Sequence, residues 1–161
     1  MSGALARLAR VSAAVAATAA VGGLASQDVR SAWYAALDKP SFQPPDAAFP
    51  VAWTLLYSDL ALSAGHALDR LGRAGRTDEA RHYRRALATN LVVNASWSWV
   101  FFRQHRLGPS VVVAGVLAAS SADLVRRTAA VSRPAAVALA PYPAWCGFAT
   151  ALSAAIWWRN R

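Results

Sequence analysis

The chain has 161 residues, of which 56% are hydrophobic and only 16% are charged. A soluble domain usually carries about 25% charged residues, so this composition excludes an ordinary soluble globule, and its abundant apolar surface excludes intrinsic disorder. The single cysteine, Cys146, excludes a disulfide framework and a zinc site built on cysteine pairs. The formal net charge is +9. Because the arginines lie in short clusters between apolar runs, they suit membrane flanks better than a nucleic-acid-binding surface.

Five stretches approach the roughly 20 apolar residues that a bilayer-spanning helix needs. They predict spans at about 5–26, 47–68, 82–102, 107–127 and 134–158. Every backbone polar group must be satisfied within the lipid, so the spans predict an all-α membrane protein, a five-transmembrane-helix bundle that forms one domain over residues 1–161. Pro141 and Pro143 are expected to bend the fifth span.

The first predicted span has an alternative interpretation. Arg7 and Arg10, an apolar run and the small residues Ala25 and Ser26 would also suit a cleaved signal peptide. The four apolar stretches downstream favour a helix that is retained, with the arginine side chains reaching back to the interface.

The connection between the first two spans, residues 27–48, contains Pro40, Pro44 and Pro45. We therefore expect a loop structured by stiff turns rather than by a regular element. Most of the 17 basic residues fall on the side of the bundle that carries the N-terminus. This asymmetry favours a cytoplasmic N-terminus.

Aromatic and amide side chains recur at helical spacing in three of the predicted spans, and each set shares one helix face. The sets are Phe49, Trp53 and Tyr57; Asn90, Asn94, Trp97 and Phe101; and Tyr142, Trp145, Ala149 and Leu152. Each stripe alone suits ordinary helix packing, with asparagine hydrogen-bonding between helices. Together they favour the walls of a flat apolar pocket.

The tryptophans have two interpretations. Those near span ends suit the aromatic belt at the membrane interface; they are Trp33, Trp99, Trp157 and Trp158. Trp145 lies near the middle of the fifth span, so its indole N–H is expected to face a partner or a cavity.

Asp59 falls near the middle of the second span, where an ionised side chain costs at least ~2.5 kcal/mol. It shares a helix face with Ser63 and His66. Asp59 could contact a proton or a cation, or it could be a protonated carboxyl that hydrogen-bonds to a neighbouring helix or a second subunit. We favour the second interpretation.

The remaining titratable groups indicate no catalytic or metal chemistry. Asp123 lies close to Arg126 and Arg127, which predicts an ion pair at a helix end. The histidines do not recur at metal-ligand spacing, so no metal site is expected; they are His66, His82 and His105.

Three motifs resemble the TspO/translocator-protein family, the tryptophan-rich sensory proteins once called peripheral benzodiazepine receptors. The first is WYAALDKPSFQPP at 33–45, which continues through Phe49 and Trp53 into the second span. The second is NASWS at 94–98, followed by two phenylalanines at 101–102. The third is PYPAWCGFATAL at 141–152. The motifs occur in order from about residue 30 to the end of the chain.

The resemblance implies five transmembrane helices, commonly in a homodimer. It also implies a pocket near the loop end that takes porphyrins and synthetic benzodiazepine or isoquinoline drugs. By motif, the lid of that pocket would be formed by Tyr34, Lys39 and Pro40, and its lining would include Trp53, Asn94, Trp145 and Ala149. Some bacterial members degrade protoporphyrin in light, and tryptophans at the positions of Trp53 and Trp145 are implicated.

The chain departs from the family pattern in three places. Position 42 is Phe where the family often has Trp, and Asp59 stands where an apolar residue is usual. The C-terminal helix lacks the central tyrosine of the cholesterol-recognition pattern, which is a weak motif in any case. Cholesterol binding is therefore not expected.

A tetrapyrrole is a wide apolar disc with anionic propionates at its rim. Aromatic walls would stack on the disc, and Lys39 with Arg30 would meet the propionates at the mouth. No covalently bound cofactor is expected, and without an acid–base pair any turnover would be slow photo-oxidation at Trp53 and Trp145. The leading hypothesis is a tetrapyrrole-binding sensor or scavenger in the bacterial plasma membrane. The alternatives are a transporter with Asp59 as its coupling residue and a structural partner subunit.

Overall fold

The computed structural model describes residues 2–161, whose regular elements are helices joined by short turns. The α-helices are α1 (Ser2–Ser26), α2 (Ala32–Ala36), α3 (Ala48–Arg73), α4 (Thr77–Ser98), α5 (Leu107–Ala129), α6 (Arg133–Leu139) and α7 (Pro141–Arg159). A 3₁₀ turn (Gln27–Arg30) follows α1, and a π-helical turn (Trp99–Arg103) extends α4. The predicted all-α class is confirmed.

Three stretches of the described chain are long and apolar enough to cross a bilayer, namely Gly3–Arg30, Leu107–Ala129 and Arg133–Arg159. They correspond to the first, fourth and fifth predicted spans. Helices α3 and α4 cover the second and third, but their Trp, Tyr, Asn and charged residues lower their mean hydropathy. At 26 residues, α3 is about 39 Å long and exceeds the roughly 30 Å hydrocarbon core.

The segment between α1 and α3 differs from the expectation of turns alone. Residues 27–30 and 32–36 are helical, and Ser31 caps α2 by accepting a hydrogen bond from the backbone N–H of Tyr34 at 3.2 Å. The prolines begin only at Pro40, so they leave this first half free to form helix. Apart from the extended Ser31, turns and extended backbone occupy residues 37–47. We call residues 27–47 the roof segment.

The predicted fifth span is interrupted at Ala140, which separates α6 from α7. Pro141 lacks the backbone N–H that would continue the helix. The N–H of Ala140 instead reaches the carbonyl of Val137 at 3.2 Å. The expected distortion therefore occurs directly before the residues of the third motif.

Gly65 lets α1 pass close to α3. A Cβ atom built there would lie 2.8 Å from Leu8 Cδ1 and 3.6 Å from Leu8 Cα. One turn after Gly65, the Asp69 carboxylate of α3 binds Arg7 of α1 at 2.6 Å and Arg73 of α3 at 2.7 Å. The buried apolar side chains form two clusters, and the fully buried residues of the larger one include Leu60, Leu71, Leu124, Leu139 and Tyr142.

Replacing Gly65 by leucine should force α1 away from α3. We expect Gly65→Leu to lower the free energy of unfolding by about 1–3 kcal/mol, as overpacking does. Thermal unfolding in detergent micelles, followed by circular dichroism, measures the change. Gly147→Leu is the matched control, because nothing lies within 4 Å of a Cβ at Gly147. An equal fall in both variants would contradict the close approach at Gly65.

Candidate ligand-binding cavity

A cavity of about 1050 Å³ opens beneath the roof segment. Its walls are the C-terminal part of α1, the first turns of α3, the end of α4 with its π-helical turn, and the second half of α7. Ligand pockets typically measure about 300–1,000 Å³, so this cavity is large. Its aromatic wall residues are Tyr34, Phe49, Trp53, Tyr57, Trp97, Phe101 and Phe102.

Helix α1 contributes only small side chains to this wall. They are Ala19, Gly22, Gly23 and Ser26, spaced at i, i+3, i+4 and i+7, so they share one helix face. Since these side chains project little, the space opposite the aromatic residues stays open. This face is not among the predicted site residues, although the helical spacing of its small side chains is a signal visible in the sequence.

Six of the residues predicted to bind a ligand lie on the cavity wall: Tyr34, Phe49, Trp53, Tyr57, Asn94 and Trp97. The rings form two close pairs. Trp53 and Tyr57 on α3 have centroids 5.2 Å apart, and Trp97 and Phe101 at the end of α4 stack at 5.5 Å. The α3 and α4 stripes therefore do face one space.

Five predicted residues lie outside this wall: Lys39, Pro40, Tyr142, Trp145 and Ala149. The Lys39 ammonium is 4.0 Å from the centroid of the Tyr34 ring, so it packs on the roof segment itself. Trp145 lies behind a wall residue, with its ring centroid 6.0 Å from that of Phe49. The α7 residues that do reach the cavity are Leu152, Ser153 and Ile156.

The Trp145 indole does not meet the expectation of a partner or this cavity. Its N–H is buried and has no hydrogen-bond partner within residues 2–161, and the same holds for the Trp97 N–H. A buried donor left unpaired costs about 1–3 kcal/mol. Phe49 and Phe148 pack against the Trp145 ring, so apolar packing holds this side chain in place.

A chain of hydrogen bonds leads from the cavity wall into the core. The Tyr57 hydroxyl donates to Asn94 Oδ1 at 2.9 Å, and Asn94 Nδ2 donates to the Tyr142 hydroxyl oxygen at 2.9 Å. That hydroxyl donates to Asn90 Oδ1 at 2.8 Å, and Asn90 Nδ2 donates to Ser121 Oγ at 3.1 Å. This asparagine–tyrosine network joins α3, α4, α7 and α5. Asn90 and Asn94 thus hydrogen-bond between helices, as the helix-packing interpretation of the stripes has it, and Asn94 also lies on the cavity wall.

The roof segment is fastened to the bundle at its first half. Arg103 binds Asp28 at 3.1 Å, and the Trp33 ring stacks on the His105 ring with centroids 3.9 Å apart. His105 adopts a φ of 54°, a left-handed conformation that is uncommon outside glycine, in the turn that leads into α5. These contacts fix the position of α2 and therefore of Tyr34.

Tyr34 links the roof segment to the cavity. Its ring is buried among the aromatic residues at the end of α4, and its hydroxyl accepts a hydrogen bond from Gln43 Nε2 at 3.2 Å. Burial, reinforced by the Asp46 carboxylate, raises the pKa of Tyr34 above its ordinary value. Tyr34 therefore stays neutral at physiological pH.

The mouth of the cavity carries charge of both signs. Arg30 and Asp46 are exposed and line it, and Arg30 forms no ion pair within the described part of the chain. The sequence placed two cations here, Lys39 and Arg30; the structure leaves only Arg30 on the cavity wall.

Asp59 lies away from the cavity wall. The Ser63 hydroxyl, one turn along the same helix, donates to Asp59 Oδ1 at 3.1 Å, whereas Oδ2 is buried without a partner among the residues described. Asp123 does form the predicted ion pairs with Arg126 and Arg127, both at 2.5 Å.

The sequence model of the TspO/MBR family matches residues 11–159. The chain belongs to this family. It is 33% identical to "Protein CrtK" of Rhodobacter capsulatus (80% of this chain, 79% of the relative) and 31% identical to "Translocator protein" of Homo sapiens (80% and 75%). It is also 31% identical to "Tryptophan-rich sensory protein" of Cereibacter sphaeroides (88% and 83%). The resemblance read from the motifs is confirmed, and the chain is a membrane protein of the TspO/MBR family.

Removing the Tyr142 hydroxyl should break the network at its centre. In Tyr142→Phe, Asn94 Nδ2 and Asn90 Oδ1 both lose their partner, so we expect the free energy of unfolding to fall by about 1–3 kcal/mol. Thermal unfolding in detergent measures it. Tyr57→Phe is the matched control, because it strands only Asn94 Oδ1 and should cost less. A larger loss for Tyr57→Phe would contradict the network.

Proposed function

We propose that the protein binds a tetrapyrrole of the protoporphyrin class in this cavity and acts as a membrane sensor or scavenger. The observation that carries the proposal is the aromatic wall. Rings from α2, α3 and the end of α4 border one cavity large enough for a wide flat ligand, and aromatic faces favour stacking on a conjugated disc. The relative named "Tryptophan-rich sensory protein" supports a sensory role.

The charged residues at the mouth of the cavity favour a ligand that carries anionic groups at its rim. Arg30 is the cation free to meet a propionate, because the Lys39 ammonium is already held over the Tyr34 ring. Asp46 on the same mouth would repel a second carboxylate placed near it. The propionates would therefore project past Arg30 toward solvent.

The same proposal includes the placement in the membrane. α3 and α4 with its π-helical turn would cross the bilayer beside the three apolar stretches, giving five spans in a bacterial plasma membrane. Their arginine-rich ends lie with the N-terminus of α1, as the Arg7–Asp69 pair shows, and clustered arginines favour the cytoplasmic side. A homodimer, as the resemblance implies, would be tested by light scattering of the detergent-solubilised protein.

Light-dependent degradation of the ligand is a further part of the proposal. A photoexcited porphyrin can take one electron from a neighbouring indole, which leaves an oxidised tryptophan and a reduced ring open to attack by oxygen. Trp53 is on the cavity wall, whereas Trp145 lies behind Phe49. Trp53 is therefore the better-placed electron donor.

A second candidate function is transport of a porphyrin or another amphiphile. The Asp59 carboxyl favours it, because its Oδ2 is buried without a partner among the residues described and intramembrane carboxyls commonly couple transport to protons. The name of the relative "Translocator protein" points the same way.

Titration with protoporphyrin, followed by tryptophan fluorescence quenching, tests the binding proposal. We expect Trp53→Ala to raise Kd about tenfold through lost stacking, and Trp158→Ala, on an exposed site, to leave it unchanged. Arg30→Gln should raise Kd about two- to fivefold for the free acid but not for the dimethyl ester. A titration in which the wild-type protein does not bind protoporphyrin would refute the proposal.

Illumination of the bound complex tests the photochemistry. Bleaching of the porphyrin absorbance should slow in Trp53→Phe because phenylalanine is a poorer electron donor than indole. Trp145→Phe should bleach at a rate between this variant and wild type. A Trp53→Phe protein that is fully loaded and bleaches as fast as wild type would rule out the assigned donor.

Reconstituted liposomes test transport. If Asp59 couples flux to protons, a pH gradient should drive porphyrin uptake in wild type, and Asp59→Asn should abolish the dependence on the gradient. Ser63→Ala, which removes only the hydroxyl bonded to Asp59, is the matched control and should retain it. Uptake that is equal in Asp59→Asn and wild type would refute coupling at this residue.

A further inference from the structure

We infer that Asn160, directly after α7, clamps the roof segment shut and thereby sets how fast a ligand enters and leaves the cavity. The inference rests on the proposed function, since it takes the cavity to be a ligand site. Asn160 is then a positioning residue that acts through the roof segment, and it does not line the cavity itself.

The Asn160 side-chain amide uses each of its polar groups. Its Oδ1 accepts from the backbone N–H of Asp38 at 2.9 Å, and its Nδ2 donates to the carbonyls of Asp38 at 3.0 Å and Ile156 at 2.7 Å. A flipped amide would set N–H against N–H and oxygen against two carbonyls, so only this orientation is compatible with all three contacts. The amide therefore binds both backbone polar groups of one roof residue.

The Asn160 amide joins α7 to the roof segment, and both of these enclose the cavity. Ile156 is a buried wall residue of α7. Asp38 directly precedes Lys39, whose ammonium lies over the Tyr34 ring, and the N–H of Leu37 reaches the carbonyl of Tyr34 at 3.4 Å. If residue 38 moved off α7, it would pull on both contacts of Tyr34, which lines the cavity.

The neighbouring ion pair is a weaker attachment. Arg159 lies 3.4 Å from the Asp38 carboxylate, with the two side chains 44% and 62% exposed. Exposed ion pairs contribute little because water and salt screen them. The first half of the roof is held separately by Arg103 and His105. The second half also meets α7 through the edge-on contact of the Phe42 and Phe148 rings, whose centroids are 6.3 Å apart, so the Asn160 amide is its hydrogen-bonded attachment to the end of α7.

Stopped-flow fluorescence quenching with protoporphyrin, on the full chain in lipid nanodiscs, measures the rate constants of ligand association and dissociation. For Asn160→Ala we expect the association and dissociation rate constants both to rise, the latter about tenfold, as the loss of the two hydrogen bonds to Asp38 allows. Kd should then change less than either rate. Arg159→Gln, which removes only the ion pair, should stay within about twofold of wild type.

Amide hydrogen exchange without ligand gives an independent readout. The Asp38 N–H should exchange faster in Asn160→Ala than in wild type, while core amides of α4 and α5 keep their rates. If wild type binds but Asn160→Ala leaves both rate constants unchanged, or only lowers the fraction of active protein, the inference is overturned. Unchanged exchange at Asp38 overturns it too. If wild type does not bind protoporphyrin, the proposed function is wrong. Faster exchange at Asp38 in Asn160→Ala would still show that Asn160 holds the roof segment.

Discussion

The Tyr142 hydroxyl is the point at which the interior of the bundle is tied together. It accepts from Asn94 and donates to Asn90, and these two asparagines, one turn apart on α4, reach Tyr57 on α3 and Ser121 on α5. In lipid no water can replace a lost partner, so each group must find its bond inside the protein. The network therefore fixes the rotation of α4 relative to its neighbours.

The cavity follows from that constraint. With Asn94 held toward Tyr142, the residues one and two turns further along α4, Trp97 and Phe101, face the same space as Trp53 on α3. The small residues of α1 leave that space open, and the roof segment closes it through Tyr34. A polar core thus holds one side of an apolar chamber, while the second half of the roof segment is held at Asp38 by exposed contacts.

The sequence predicted the helical class, the family and the faces of α3 and α4, because a period near 3.6 shows which residues share a face. It could not show which neighbour each face meets. Tyr142 and Trp145 turn toward the core, and Lys39 folds back onto Tyr34, because packing between helices decides these positions. Within the roof segment, α2 begins at the Ser31 cap, a signal that the nearby prolines obscured in the sequence.

We propose that a flat conjugated ligand occupies the chamber between α1, α3, α4 and α7. A crystal structure of the protein with protoporphyrin would decide this. We expect the macrocycle against the rings of Trp53 and Trp97, with a propionate near Arg30 and residue 38 still bound to Asn160. A macrocycle on the outer, lipid-facing surface of the helices, with the chamber empty, would contradict it.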